Sequence, residues 1–213
     1  MEKLNKNSQR PKSKIGIIIL AAGESKRLDY FPKQLLKFNQ KSLLRHAVEN
    51  ALNSSAALVC LVLGANSEKL KTEIEDLPIE IVINENWEEG MASSLQKGLK
   101  KLLELETNLE AVCVTLCDQP LINSTIINQL IHVFNSVNSP IVASEYAQTI
   151  GVPAIFGSLM FDELLSLKSS EGAKKIIMRN LSSVIKFSLP EAAFDIDTKA
   201  DFDDFLESLK SRN

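Results

Sequence analysis

Phosphate and metal chemistry is within reach of a few short stretches of this chain. The first is "IGIIILAAGESKRLDYFPKQLL", Ile15 to Leu36. A run of branched aliphatics breaks into Ala21, Ala22 and Gly23, and Lys26, Arg27 and Lys33 follow closely. Small residues let a ligand approach the backbone, and the N–H groups of such a turn can point at phosphate oxygens. The cations then add positive charge, with Pro32 stiffening the approach to Lys33. An ordinary strand-to-helix turn with exposed cations would show the same residues. A Walker loop is excluded because position 28 is Leu, and the dinucleotide pattern GxGxxG because Gly23 is the only glycine of the loop.

A second stretch is "CDQP". Asp118 at the end of a strand is placed to hold Mg²⁺, a hard cation that takes one or two carboxylates plus phosphate oxygens and water; an Asx-turn before Pro120 is the bland reading. A third is "FDIDTKADFDDF", where Asp195 and Asp197 precede a helix. Asp197 or Thr198 could simply cap that helix. In "NWEEGMASSLQKGL", the only tryptophan, Trp87, precedes Gly90, Met91, Ser93 and Ser94. A helix that opens on serines can accept an anionic or polar ligand, or the serines can be caps.

These stretches need a frame. Short β-branched runs alternate with helical patterns. Strands are expected at Ile15–Leu20, from Ala57, from Ile79, from Glu110, over "PIVASEY" and "GVPAIF", and over "SSVIKFSL". Helices are expected from Ser42, after a Ser67 cap, from Met91, after an Asn123 cap, around 158–166 and 171–180, and from Lys199. Alternation of this kind implies a mostly parallel sheet of about seven strands, covered on both faces. Right-handed crossovers bring the strand C-termini to one edge. Ligands bind there, where the strand order reverses. The loops after the first and fourth strands, "AAGESKR" and "CDQP", are therefore the expected site.

The whole chain has 213 residues, 45% of them hydrophobic, and a formal charge of −3. That size suits one domain over 15–213, with a polar, Lys-rich tail over 1–14. An acidic protein is not a general nucleic-acid binder. Yet residues 26–45 carry a net +5, so the remainder carries −8. Such a local patch fits a small anionic ligand or a solvated surface. No apolar run approaches membrane-spanning length. The three cysteines, Cys60, Cys113 and Cys117, lack CxxC spacing. That fits a reducing compartment, and the expected location is the cytoplasm. His46 and His132 fall in helical patterns away from these loops, and nothing has the arrangement of a catalytic triad or a zinc site.

"LAAGESKRL…PKQLL" resembles the signature of nucleotidyltransferases of the molybdopterin cytidylyltransferase type, within the wider superfamily of sugar-phosphate and methylerythritol-phosphate nucleotidyltransferases. The resemblance extends through "W..GM..S", "DQP", "TIGVPAIF", "SSEGAKKII" and "DIDTKAD", in the family's order. It implies a Rossmann-like three-layer α/β/α fold of the nucleotide-diphospho-sugar transferase kind, with one antiparallel strand near an edge, Gly151–Phe156. It further implies a loop that wraps a triphosphate through Leu20, Ala21, Ala22, Gly23 and Ser25. Arg27 and Lys33 would sit on the phosphates, and Gly90 and Ser94 near the nucleotide. Lys33, Arg27 and Asp118 would be catalytic, and Asp118 with Asp197 would hold Mg²⁺ or Mn²⁺. Ala22, where guanylyl-transferring relatives have Gly, resembles the cytidylyl-transferring branch. The implied reaction moves CMP from CTP to a phosphorylated acceptor, molybdopterin first, and a molybdoenzyme or its maturation factor is an implied partner. A sugar or polyol phosphate acceptor, or a non-catalytic pterin carrier, are the alternatives.

The chain also departs from the family. "RLDYFPK" has Asp29 in place of a glycine and one extra residue. Val152 stands where His is frequent, Ser169 and Ser170 replace Gly-Asp, Lys174 replaces Arg, and Lys199 replaces Pro.

Overall fold

The computed structural model of the chain describes residues 14–28, 31–169 and 171–210. The tail expected over 1–14 lies outside the described residues except for Lys14, as do Asp29, Tyr30 and Ser170. A seven-stranded sheet runs through the middle of the molecule, in the order β5-β4-β1-β6-β8-β7-β9. Its strands are β1 (Ile15–Ala21), β4 (Leu58–Leu63), β5 (Glu80–Ile83), β6 (Ala111–Leu116), β7 (Ile141–Tyr146), β8 (Thr149–Gly157) and β9 (Val184–Ser188). A small antiparallel hairpin, β2 (Lys37–Phe38) and β3 (Lys41–Ser42), stands apart. The helices are α1 (Leu43–Leu52), α2 (Ser67–Thr72), α3 (Met91–Leu105), α4 (Ser124–Ser136), α5 (Phe161–Leu165), α6 (Ala173–Arg179) and α7 (Lys199–Lys210).

The reason for three layers is visible in β1. All of its residues are buried, so the strand must be covered on both faces. Ile15, Ile17, Ile19 and Ala21 pack with Leu44 and Val48 of α1, Leu70 of α2 and Ile127 and Leu130 of α4. Ile18 and Leu20 face the other way, into a second cluster with Leu95, Leu99 and Leu102 of α3 that also takes in Phe161 and Ile176 of α5 and α6. A third, smaller cluster joins Phe38 and Leu43 to Ile196 and to Phe205 of α7. It pins the C-terminal helix beside the β2–β3 hairpin.

The expected α/β architecture, about seven strands and mostly parallel, is what the chain adopts. Two expectations change in detail. Ser67 is not a cap: Asn66 precedes α2 in the left-handed region, φ 59°, and makes no side-chain capping bond. An Asn can adopt that conformation because its short polar side chain tolerates it. The antiparallel strand is β8, which begins at Thr149 rather than Gly151 and pairs antiparallel with both β6 and β7. It lies inside the sheet, because β7 and β9 extend beyond it. The short β7–β8 hairpin forces the reversal, and β9 then returns parallel to β7.

Candidate active site

β1 pairs parallel with β4 on one side and β6 on the other. The chain leaves β1 for β4 and later crosses to β6, so the strand order reverses here, where α/β sheets open a crevice. A cavity of about 800 Å³ lies at this point. It is lined on one side by Leu20, Ala21, Ala22, Gly23, Ser25, Arg27 and Lys33, and on the other by Trp87, Gly90, Met91, Ser94, Asp118, Asp195 and Asp197. The structure thus brings every sequence-selected site residue to one crevice.

The first loop leaves its backbone open at the crevice. A Cβ added to Gly23 would meet nothing within 4 Å, so this stretch of backbone is open to a ligand. Among the described residues, the N–H groups of Gly23, Glu24 and Ser25 donate to no protein acceptor. Ser25 holds a left-handed φ of 62°. Its hydroxyl accepts from the Lys33 N–H at 3.0 Å and donates to Gln34 Oε1 at 3.3 Å. The Gln34 side chain is buried, and its Nε2 donates to the carbonyls of Ala21, at 3.1 Å, and Gly23, at 3.0 Å.

Opposite charges meet across the crevice. Lys33 Nζ lies 2.5 Å from Asp118 Oδ2 and 2.8 Å from Asp197 Oδ1. Lys33 and Asp118 are only 14% and 15% exposed at the side chain. Burial alone pulls the Lys33 pKa down, but the charge and hydrogen bond of Asp118, then the bond to Asp197, outweigh it and hold it above the ordinary lysine value. Arg27 Nη1 reaches Asp197 Oδ2 at 2.9 Å but is 70% exposed, so that pair is screened and weak. Burial pushes the Asp197 carboxyl up, but the Lys33 hydrogen bond and charge, with Arg27, bring it below the usual range. Asp195 is the opposite case: burial, then the charges of Asp197 and Asp118, raise it.

Two devices place the carboxylates. The Ile196 N–H donates to the Asp118 carbonyl at 2.9 Å, which ties the two acidic loops together. The α7 cap is not Asp197. Thr198 Oγ1 accepts from the Asp201 N–H at 3.2 Å, and Asp201 Oδ2 accepts from the N–H groups of Thr198, at 2.7 Å, and Asp197, at 3.0 Å. This is a capping box, and it frees the Asp197 carboxylate to face Lys33. Asp118 Oδ1 is buried and has no hydrogen-bond partner among the described residues.

On the far wall Gly90 takes a φ of 111°, a conformation that suits glycine. Ser94 Oγ accepts from the buried Asn84 Nδ2 at 2.9 Å, and Ser93 Oγ donates to the Gly90 carbonyl at 2.8 Å. Both serines are therefore tied into the wall. A Cβ on Gly172 would come within 3.2 Å of Met91 Sδ, so Gly172 borders this wall. Lys174 Nζ donates to Thr149 Oγ1 at 2.6 Å. His46 Nε2 lies 2.9 Å from the Phe38 carbonyl and its ring stacks on Phe38, which makes it structural. Cys117 is buried, and burial together with the Asp118 charge raises its thiol above the ordinary value, which disfavours the thiolate. Reading the sequence missed Gln34, Asn84 and Asp201. Gln34 left one signal, a polar residue inside the apolar end of "PKQLL".

Known proteins share this fold. Nicotine blue oxidoreductase of Paenarthrobacter nicotinovorans is 27% identical over 194 residues, 85% of this chain and 91% of that protein. The crystal structure of a homologue of Mycobacterium tuberculosis Rv0371c, from Mycobacterium sp. strain JC1, superposes with a TM-score of 0.80 at 26% identity, covering 95% of this chain and 100% of the other. A nucleotidyl transferase from Methanothermobacter thermautotrophicus shares the fold, with a TM-score of 0.76 at 15% identity over 93% and 99% of the two chains. The profile of the MobA-like NTP transferase domain matches residues 17–184. With that match over well more than half its length, the chain belongs to the MobA-like NTP transferase family.

Proposed function

We propose that the protein transfers a nucleoside monophosphate from a nucleoside triphosphate, CTP first, to a phosphorylated acceptor, molybdopterin first. The observation that carries this reading is the convergence of Lys33, Arg27, Asp118 and Asp197 beside a loop that lines the crevice and whose Gly23, Glu24 and Ser25 N–H groups have no acceptor among the described residues. An acceptor phosphate oxygen attacks the α-phosphorus in line, the bond to the β-phosphate breaks, and pyrophosphate leaves. Such transfer needs positioning and charge stabilisation more than a protein acid or base. The free amides of the first loop hold the phosphates, and Lys33 and Arg27 offset the charge that builds on them.

The acidic pair fits a divalent cation, Mg²⁺ or Mn²⁺. Asp118 and Asp197 already converge on one positive group, Lys33 Nζ, and Asp118 Oδ1 is a buried oxygen without a partner. Among the described residues no cluster of three or more metal-ligating side chains exists. Two carboxylates with phosphate oxygens and water are the set that Mg²⁺ favours. When bound, the cation supplies charge neutralisation at the reacting phosphate.

The test is pyrophosphate release with Mg²⁺ and CTP, GTP, ATP or UTP, each with and without molybdopterin. Release with CTP that requires molybdopterin is the expected result. Release only with a sugar or polyol phosphate keeps the chemistry and moves the pathway. The likeness to nicotine blue oxidoreductase favours a second reading, redox chemistry at the same crevice. It predicts no pyrophosphate release with any nucleotide and acceptor. The unpaired, buried cysteines support the cytoplasm as the location. Among the described residues no helix is long and apolar enough to cross a membrane.

A further inference from the structure

We infer that Gln34 is the positioning residue of the phosphate loop, the group that sorts its carbonyls from its amides. The inference rests on the nucleotidyl-transfer reading above. Three successive carbonyls leave the end of β1. Gln34 Nε2 takes those of Ala21 and Gly23, and the Ala65 N–H takes that of Ala22 at 3.1 Å. In a trans peptide the C=O and the following N–H point in opposite directions. Holding the Gly23 carbonyl therefore aims the Glu24 N–H away from Gln34. Holding the Ala22 carbonyl likewise aims the Gly23 N–H away from Ala65. These are among the amides that donate to no acceptor of the described protein. A loop left to itself could turn a carbonyl toward the crevice and repel a phosphate.

The residue type matters. A carboxamide offers two N–H donors on one atom and an acceptor on the other. Here both donors go to loop carbonyls, and the acceptor takes the Ser25 hydroxyl. That hydroxyl in turn accepts from the Lys33 N–H and supports the left-handed backbone of Ser25. Gln34 thus couples the cradle to the turn that carries Lys33. Glutamate would place acceptors against carbonyls, and leucine would leave both carbonyls without a donor.

The experiment uses Trp87, the single tryptophan, which lines the crevice. Its fluorescence is titrated with CTP and with CMP, both with Mg²⁺, on the full chain and on Gln34→Leu, Gln34→Glu and Ser25→Ala. The expected result is that the affinity advantage of CTP over CMP shrinks about tenfold in Gln34→Leu, the size of one lost charge-assisted hydrogen bond, and further in Gln34→Glu. Ser25→Ala, a milder change at a half-buried position, serves if Gln34 variants do not fold, and its expected loss is about threefold on the same scale. Equal loss for both nucleotides marks a merely structural residue and overturns the inference, as does an unchanged ratio. An unmodified chain that binds no triphosphate sinks the nucleotidyl-transfer reading itself, whereas normal binding with indifferent variants sinks only the role of Gln34.

Discussion

At the scale of single residues, the crevice sets opposite demands on neighbouring carboxylates. Asp118 holds Lys33 and leaves one buried oxygen unpaired. Asp118→Asn keeps the shape and removes the charge. The expected outcome is loss of Mg²⁺-dependent turnover by at least about a hundredfold, on the scale of a lost electrostatic group in a transition state, with circular dichroism unchanged. Unchanged turnover removes Asp118 from the metal site. Asp195 gives a pH prediction. Its folded pKa is raised by burial and by the charges of Asp197 and Asp118. A carboxyl raised in the folded state costs stability once it ionises, so the cost grows as pH rises through that folded value and is absent below the unfolded value of about 4. Asp195→Asn should therefore melt higher than the parent at neutral pH, and the gap should close at about pH 4 and below. A Tm difference that stays constant across that range contradicts the raised carboxyl.

At the scale of elements, helix α3 supplies Met91 and Ser94 to the crevice wall. It lies close on the sheet because Gly98 has no side chain. An added Cβ there would come within 2.7 Å of Ile18 Cγ2 and 2.9 Å of Val62 Cγ2. Both are β-branched methyls on buried strands, stiff at χ1. Gly98→Ala gains about 1 kcal/mol in helix propensity but loses about 1–3 kcal/mol to overpacking. Net destabilisation is expected in urea melts, with a weaker affinity for nucleotide because Trp87, Gly90 and Met91 lie at the N-terminal end of the same helix. A stabilised Gly98→Ala would mean that the helix backs away freely.

At the scale of the molecule, the acidic pair depends on a packing unit remote from the chemistry. Asp197 lies between Ile196 and the capping box of α7, and Ile196 and Phe205 belong to the third cluster with Phe38 and Leu43. Phe205 is fully buried and meets Phe38 edge-on at 4.9 Å between centroids. Phe205→Ala is expected to cost about 3–5 kcal/mol. At temperatures where the variant remains folded, turnover should fall with it, since the cluster sets where Asp197 meets Lys33. A variant that loses stability and keeps full turnover would show that the acidic pair is positioned without α7.

Much of this was legible in residue order alone. The all-buried run Ile15–Ala21, the alternation of strands and helices, and the small-residue turn with its cations are local patterns, and local patterns follow from periodicity and backbone freedom. They were enough to place "AAGESKR" and "CDQP" at one sheet edge. Asn123 was readable as a cap because its own side chain bonds the Ile126 N–H. Other features were not readable. Whether Asp197 or Thr198 caps α7 depended on Asp201 reaching back, and the interior place of β8 depended on where β7 and β9 pair. Gln34 was one polar letter in an apolar run until the fold brought the carbonyls of Ala21 and Gly23 to its amide. Sequence determines what each segment can offer. Which donors and charges meet across 85 residues, as Lys33 and Asp118 do, is decided only when packing brings buried polar groups within reach of one another.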